Sequence, residues 1–210
     1  MRGFWQTAAR RFGRGARHRE GSFLSKAVVF FADGTEECEA LLVVDLLRRA
    51  KVEVVTASAN GTDEVVTSHS VHLHTDTVAE ALDLAGVDML VLPGGMPGTL
   101  HLAASAAVTD AVRRFWREGR KVAAICAAPS ILGNLGLLVG RRATSNVHFR
   151  DQLAGAEVLD AEVVVDGNLT TSFGLGGAIP FALELVRQLA GEAEAARICN
   201  AIEYTHLPPR

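Results

Sequence analysis

The sequence predicts an α/β protein with a mostly parallel, doubly wound sheet covered by helices on both faces. Three observations carry that prediction. Short apolar runs at residues 26–31, 88–93 and 121–125 have strand length and lack the alternation of a half-exposed strand. Amphipathic stretches of helical period lie between them. Joining such strands through helices requires right-handed crossovers, which place the strands parallel and bury both faces of the sheet.

Taken in order, KAVVFF (26–31) is a β-branched and aromatic run that reads as the first buried strand. TEECEALLVVDLLRRA (35–50) predicts a helix capped by Thr35, with Glu36 and Glu37 at its positive end and Arg48 and Arg49 at its negative end. VEVVTAS (52–58) is a second strand. A turn at Asn60-Gly61 opens a hairpin-like stretch to His74, followed by a short helix near 77–84. DMLVLP (88–93) is the third strand, TDAVRRFWREG (109–119) a helix ended by Gly119, and KVAAI (121–125) the fourth strand. Residues 129–138 read as helix, 162–172 as a hairpin turning on Asp166-Gly167, and 176–190 and 192–202 as closing helices.

Composition removes several functions. With 49% hydrophobic and 21% charged residues among 210, the chain reads as one ordinary globular domain. Its three cysteines, at 38, 126 and 199, form neither a CxxC metal pair nor an extracellular disulfide framework, which points to a reducing compartment. No apolar run reaches the roughly 18 residues of a membrane span. The formal charge of -3 hides an asymmetry: residues 1–20 hold six arginines and one acid, leaving a body with 15 basic and 23 acidic residues, at -8. Residues 1–24, rich in Arg and carrying Phe4, Trp5 and Phe12, read as a targeting presequence for a mitochondrion or plastid; without that role the protein is cytoplasmic. A plain basic tail is the alternative. The acidic body argues against a nucleic-acid partner. The domain proper is placed at 25–207.

In doubly wound sheets, ligands sit beyond the carboxyl ends of the strands. Those ends here deliver Ala32 to Thr35, then Pro93 to Gly98, then Cys126 to Pro129. Cys126 lies between a buried strand and a helix, on a tight elbow where amide N–H groups favour thiolate over thiol. Cys38 and Cys199 lack this placement and read as structural. Glu39 is informative by angle: at about 100° per residue it falls within roughly 20° of Leu46, facing inward. A carboxyl among leucines needs a partner or a proton, and a protonated Glu39 can donate to a thiolate. Gly94 and Gly95 form either a tight turn or a row of bare N–H groups able to approach a negative oxygen. The GxGxxG and GK[ST] patterns are missing, so no dinucleotide or P-loop cofactor is expected. His72 and His74 share one strand face, a spacing that can hold a metal, but without further ligands no metal is predicted.

FFADGTEECEA, VLPGGMPGT, AAICAAPSIL and TTSFGLGGAIPFALELV, in this order, resemble the ThiJ/PfpI superfamily, in the branch of the Parkinson-disease protein deglycase and bacterial YajL. The resemblance spans about residues 25–203. It implies a flavodoxin-like sandwich, a homodimer, no cofactor, a reactive cysteine at Cys126 with a partner acid at Glu39, and a loop, Gly94 and Gly95, whose amides face the thiol. It also shows departures. Ala127 stands where protease-like relatives carry a histidine, which removes the local base of a Cys-His protease. Asn146 stands where the branch often has a histidine, with His148 two positions on, making these two accessory candidates. A Gly-Pro-Gly loop of some relatives becomes Gly174-Leu175-Gly176-Gly177.

Two functions follow. In the first, Cys126 adds to a small dicarbonyl such as methylglyoxal, or to its adducts, in a glutathione-independent glyoxalase or deglycase reaction. The oxyanion is held by Gly94, Gly95 and Ala127, and Glu39 moves the proton. In the second, the protein is a thiol sensor of oxidative stress or a redox-regulated chaperone, with Cys126 oxidised rather than turned over.

Overall fold

The computed structural model describes residues 25–206; the basic extension, read above as a presequence, lies outside them. The elements are β1 (Lys26–Phe31), α1 (Glu37–Arg49), β2 (Glu53–Ser58), β3 (Glu64–Val66), β4 (His72–His74), β5 (Thr77–Val78), β6 (Met89–Leu92), α2 (Gly98–Ala104), α3 (Ala106–Arg117), β7 (Lys121–Ile125), α4 (Pro129–Asn134), β8 (Arg142–Ala143), β9 (Glu157–Val158), β10 (Val163–Asp166), β11 (Leu169–Ser172), α5 (Ala178–Ala190) and α6 (Glu192–Ala201). The main sheet has the order β10-β11-β7-β6-β1-β2-β5. Its pairs are parallel except β10 with β11. This is the flavodoxin-like, doubly wound sandwich: the chain leaves β1 for β2 and β5 on one side, then returns to β6 on the other.

The period of two along each central strand feeds two cores. Ala27, Val29 and Phe31 of β1 pack with Met89, Val91 and Ile125 against α1, α5 and α6. Val28 and Phe30, with Leu90, Leu92, Val122 and Ala124, face α3 and α4. Every one of these β1 side chains is at most 1% exposed, which is why the run is apolar without alternation.

Several boundaries differ from the sequence-based expectation, each for a local reason. Thr35 does not cap α1; its hydroxyl accepts from the Ala32 amide at 2.9 Å, and Glu36 takes the cap by accepting from the Glu39 amide at 2.6 Å. Residues expected to form a short helix instead give β5, which extends the sheet beside β2, and a single 3-10 turn over Ala79–Ala81. Helix α3 starts earlier, where the Ser105 hydroxyl accepts from the Val108 amide at 3.4 Å. Helix α4 stops at Asn134, ahead of Gly136 with φ +72°. The pair β8–β9 has no pattern long enough to be read. The hairpin-like stretch expected from Asn60-Gly61 to His74 is the pair β3–β4, turning between Val66 and His72, and the hairpin expected at 162–172 is the pair β10–β11.

The order reversal between β1 and β6 opens a crevice at their carboxyl ends, with β7 alongside. The loops leaving these strands touch backbone to backbone. The Glu36 amide donates to the Gly94 carbonyl at 3.0 Å. A Cβ on Gly98 would strike the Thr35 nitrogen and lie 2.5 Å from the Gly34 carbonyl carbon, so the start of α2 fits only as glycine. Gly176, by contrast, has its nearest obstacle at 3.5 Å, the Phe173 ring edge. Gly98→Ala is expected to lower unfolding free energy by about 1–3 kcal/mol through the forced backbone shift, and Gly176→Ala to change it by less than about 0.5 kcal/mol. Urea unfolding of the two variants checks this, and equal losses would mean that the loop contact is not tight.

Candidate active site

Cys126 follows β7 directly, with φ +64°, the left-handed region that costs a non-glycine residue free energy. Three backbone bonds hold it there. Its amide donates to the Ser172 carbonyl at 2.9 Å, its carbonyl accepts from the Asn146 amide at 2.9 Å, and the Ala128 amide donates back to Ile125 at 3.0 Å. Proline at the first position of α4 starts the helix with its φ already set. The resulting elbow leaves the thiol half-buried.

Glu39 is 1% exposed on the inward face of α1, as its angle predicts. Its Oε2 accepts from the Gly94 amide at 3.0 Å. Its carboxyl also shares a hydrogen bond with the Cys126 side chain and faces the amide of Leu175. Gly94 therefore does not serve the oxyanion as expected, because its N–H is committed to Glu39. The donors that reach the Cys126 sulfur are the amides of Gly95 and Ala127. A Cβ on Gly94 would lie 2.6 Å from both the Cys126 Cβ and Glu39 Oε2, so this glycine is required by packing between the two reactive groups.

The other candidates fall at graded distances from the chemistry. Asn146 is anchored to Cys126 through its amide, and its side-chain Oδ1 accepts from the His148 amide at 3.1 Å, capping the 3-10 turn Val147–Gln152. His148 is exposed, and among the described residues no hydrogen bond joins it to Cys126 or Glu39. His72 and His74 lie on exposed β4, with His74 Nδ1 at 3.3 Å from Asp63. Cys38 is exposed rather than buried, and its thiol is pushed up by partial desolvation and then by the charges of Glu36, Glu37 and Glu39. Sequence reasoning missed Leu175 and the capping role of Glu36. Leu175 contributes only a backbone N–H, which no side-chain pattern reveals.

Burial raises the Glu39 carboxyl to about 7, with the nearby Glu36 charge adding to the rise against the hydrogen bonds from Cys126, Gly94 and Leu175. Burial, followed by the Glu39 charge, pushes the Cys126 thiol up to about 12, while the Ala127 and Gly95 amides pull it down. The elbow amides alone therefore do not make the thiol acidic, contrary to the sequence-based expectation. Titrating as a pair, the two groups hold two protons below about pH 7 and one above it, up to about pH 12. With that proton on sulfur the site is a thiol beside a carboxylate. With it on Glu39 the sulfur is a thiolate held by two amides and a carboxyl O–H.

The sequence pattern of the DJ-1/PfpI family matches residues 25–188. Protein dj-1beta of Drosophila melanogaster is 37% identical over 178 residues, 84% of this chain and 95% of that protein. A protein named deglycase TK1284, from Thermococcus kodakarensis, is 36% identical over 167 residues, 78% of this chain and 99% of that one. Among solved structures, oxidized Toxoplasma gondii DJ-1 superposes with a TM-score of 0.83 at 36% identity, covering 87% of this chain and all of that one.

The raised Glu39 carboxyl has a consequence for stability. Its native value of about 7 exceeds its ordinary 4.5, so the folded state binds the proton more tightly than the unfolded state. The stabilisation is complete below pH 4.5 and is lost as pH rises toward 7. Glu39→Gln removes the ionisation, so the variant should be as stable as the parent near pH 4 and more stable at pH 8 by about 3 kcal/mol. Urea unfolding at the two pH values tests this. A difference that does not grow with pH would mean that Glu39 ionises normally.

Proposed function

The chain belongs to the DJ-1/PfpI family, and on that premise we propose that it is a cysteine-dependent, glutathione-independent glyoxalase or deglycase acting on small dicarbonyls or their adducts. The observation that supports this most is the buried Glu39 carboxyl set against the Cys126 thiol beneath the Gly95 and Ala127 amides. With methylglyoxal, proton transfer to Glu39 frees the thiolate to attack the aldehyde carbon, forming a C–S bond. The new alkoxide takes its proton back as a hemithioacetal, with the two amides holding the developing negative charge. Glu39, as carboxylate, then removes the hydrogen from the former aldehyde carbon and delivers it to the adjacent carbon, while the hydroxyl proton of the first carbon passes to the oxygen of the second, leaving a thioester of lactate. Water hydrolyses the thioester, releasing lactate and restoring the thiol. No electrons are gained or lost overall.

The nucleophile needs no histidine on this reading, in keeping with Ala127 beside it and with His148 at the surface. The same donors also suit a second reading, a stress sensor in which peroxide oxidises Cys126 to a sulfinate whose oxygens take the Gly95 and Ala127 amides and the Glu39 O–H.

The deciding assay is lactate formation from methylglyoxal without glutathione. The parent is expected to turn over, Cys126→Ser to be inactive, and Glu39→Gln to lose at least about 100-fold in kcat. A parent that oxidises readily but makes no lactate would leave the sensor reading. We also propose that residues 1–24 direct the chain to an organelle. A fluorescent fusion should concentrate there and become cytosolic when those residues are removed, whereas a cytosolic full-length fusion would end the proposal.

A further inference from the structure

Glu36 occupies an uncommon place. Helix caps favour Ser, Thr, Asp or Asn, and Thr35 stands one residue earlier, yet the cap is a glutamate with Oε2 2.6 Å from the Glu39 amide. A neutral cap would satisfy that N–H equally well. What glutamate adds is a negative charge in the same helical turn as a buried carboxyl. Glu36 also donates its own amide to the Gly94 carbonyl at 3.0 Å, and Gly94 donates to Glu39 Oε2 at 3.0 Å, closing a ring around the acid. A Cβ on Gly95 would strike the Glu36 nitrogen, so the loop that presents an amide to the sulfur rests directly on this residue.

We propose that Glu36 is a positioning residue whose charge, separately from its role as a helix cap, favours the protonated form of the Glu39 carboxyl at neutral pH. The inference rests on the pair acting as described under the proposed function. Like charge beside a buried carboxyl disfavours its ionisation, and Glu36 is only partly buried, so the effect is moderate and salt-sensitive. The groups facing Glu39 are the Cys126 thiol, the Glu36 carboxylate and the amides of Gly94 and Leu175. Those facing Glu36 are Glu37 and, from the β3–β4 turn, His69. A carboxylate oxygen of Glu36, one of Glu37 and a ring nitrogen of His69 lie within 4.8 Å of one another, and His69 Nδ1 is 2.9 Å from Glu37.

The test separates charge from capping. Glu36→Gln and Glu36→Ser keep an acceptor oxygen and lose the charge; Glu36→Asp keeps both. The Glu39 carboxyl carbon is followed by 13C NMR titration of the full chain, and Cys126 alkylation by iodoacetamide is measured across the same pH range in a Cys38→Ser background. The Gln and Ser variants should move the Glu39 midpoint to lower pH by about half a unit or more, shift the alkylation profile with it, and lose the salt dependence. Asp should leave the midpoint near that of the parent. An unchanged midpoint in both neutral variants, or an equal shift in Asp, would overturn the proposal. If the shift appears while methylglyoxal is not turned over, the glyoxalase reading fails and the role of Glu36 stands.

Discussion

The hydrogen bond between the Glu39 carboxyl and the Cys126 thiol is the contact on which the site depends. Either group alone would be an unwelcome buried acid. Together they hold one proton above about pH 7, and its position decides whether the sulfur is a thiol or a thiolate. Burial provides the constraint, because a charge is tolerated on either atom but not readily on both. The surrounding donors are divided between the two acids: Gly94 and Leu175 toward the carboxylate, Gly95 and Ala127 toward the sulfur. That division gives the charged form of each acid its own hydrogen-bond donors.

The fold supplies this arrangement because the strand order reverses between β1 and β6. Three strand ends converge there, and each contributes backbone more than side chain: the start of α1, the glycine loop after β6 and the elbow after β7. Close approach leaves no room for Cβ atoms at Gly94, Gly95 and Gly98. The left-handed Cys126 is held from two further elements, through Ser172 at the end of β11 and Asn146. The sheet is therefore a frame whose rigidity is spent on one conformationally costly residue.

How much of this was legible in the sequence depends on which atoms carry the role. Side-chain placements with a pattern behind them were readable: Cys126 from its position between strand and helix, Glu39 from its angle among the leucines of α1, and the central strands from apolar runs. Backbone roles were not. Nothing in the letters distinguishes the Gly94 amide, which turns to Glu39, from the Gly95 amide, which faces the sulfur. Leu175 reads as a hydrophobic loop residue, although its N–H is what the site uses. Thr35 was the better cap by intrinsic preference, yet tertiary contact won, because its hydroxyl is taken by Ala32 and Glu36 is seated against Gly94. The two-residue strand β5 was lost for a similar reason: its state follows from the open edge of β2, not from its own pattern.

The central claim is that one proton is shared between Glu39 and Cys126 above about pH 7. Neutron diffraction from crystals of the reduced protein, exchanged into deuterated buffer at a pD well above the Glu39 midpoint, locates it directly. The account predicts a single deuteron between the Glu39 carboxyl and the Cys126 sulfur, with deuterated amides of Gly95 and Ala127 directed at the sulfur. A bare carboxylate with the thiol deuteron directed elsewhere would contradict it.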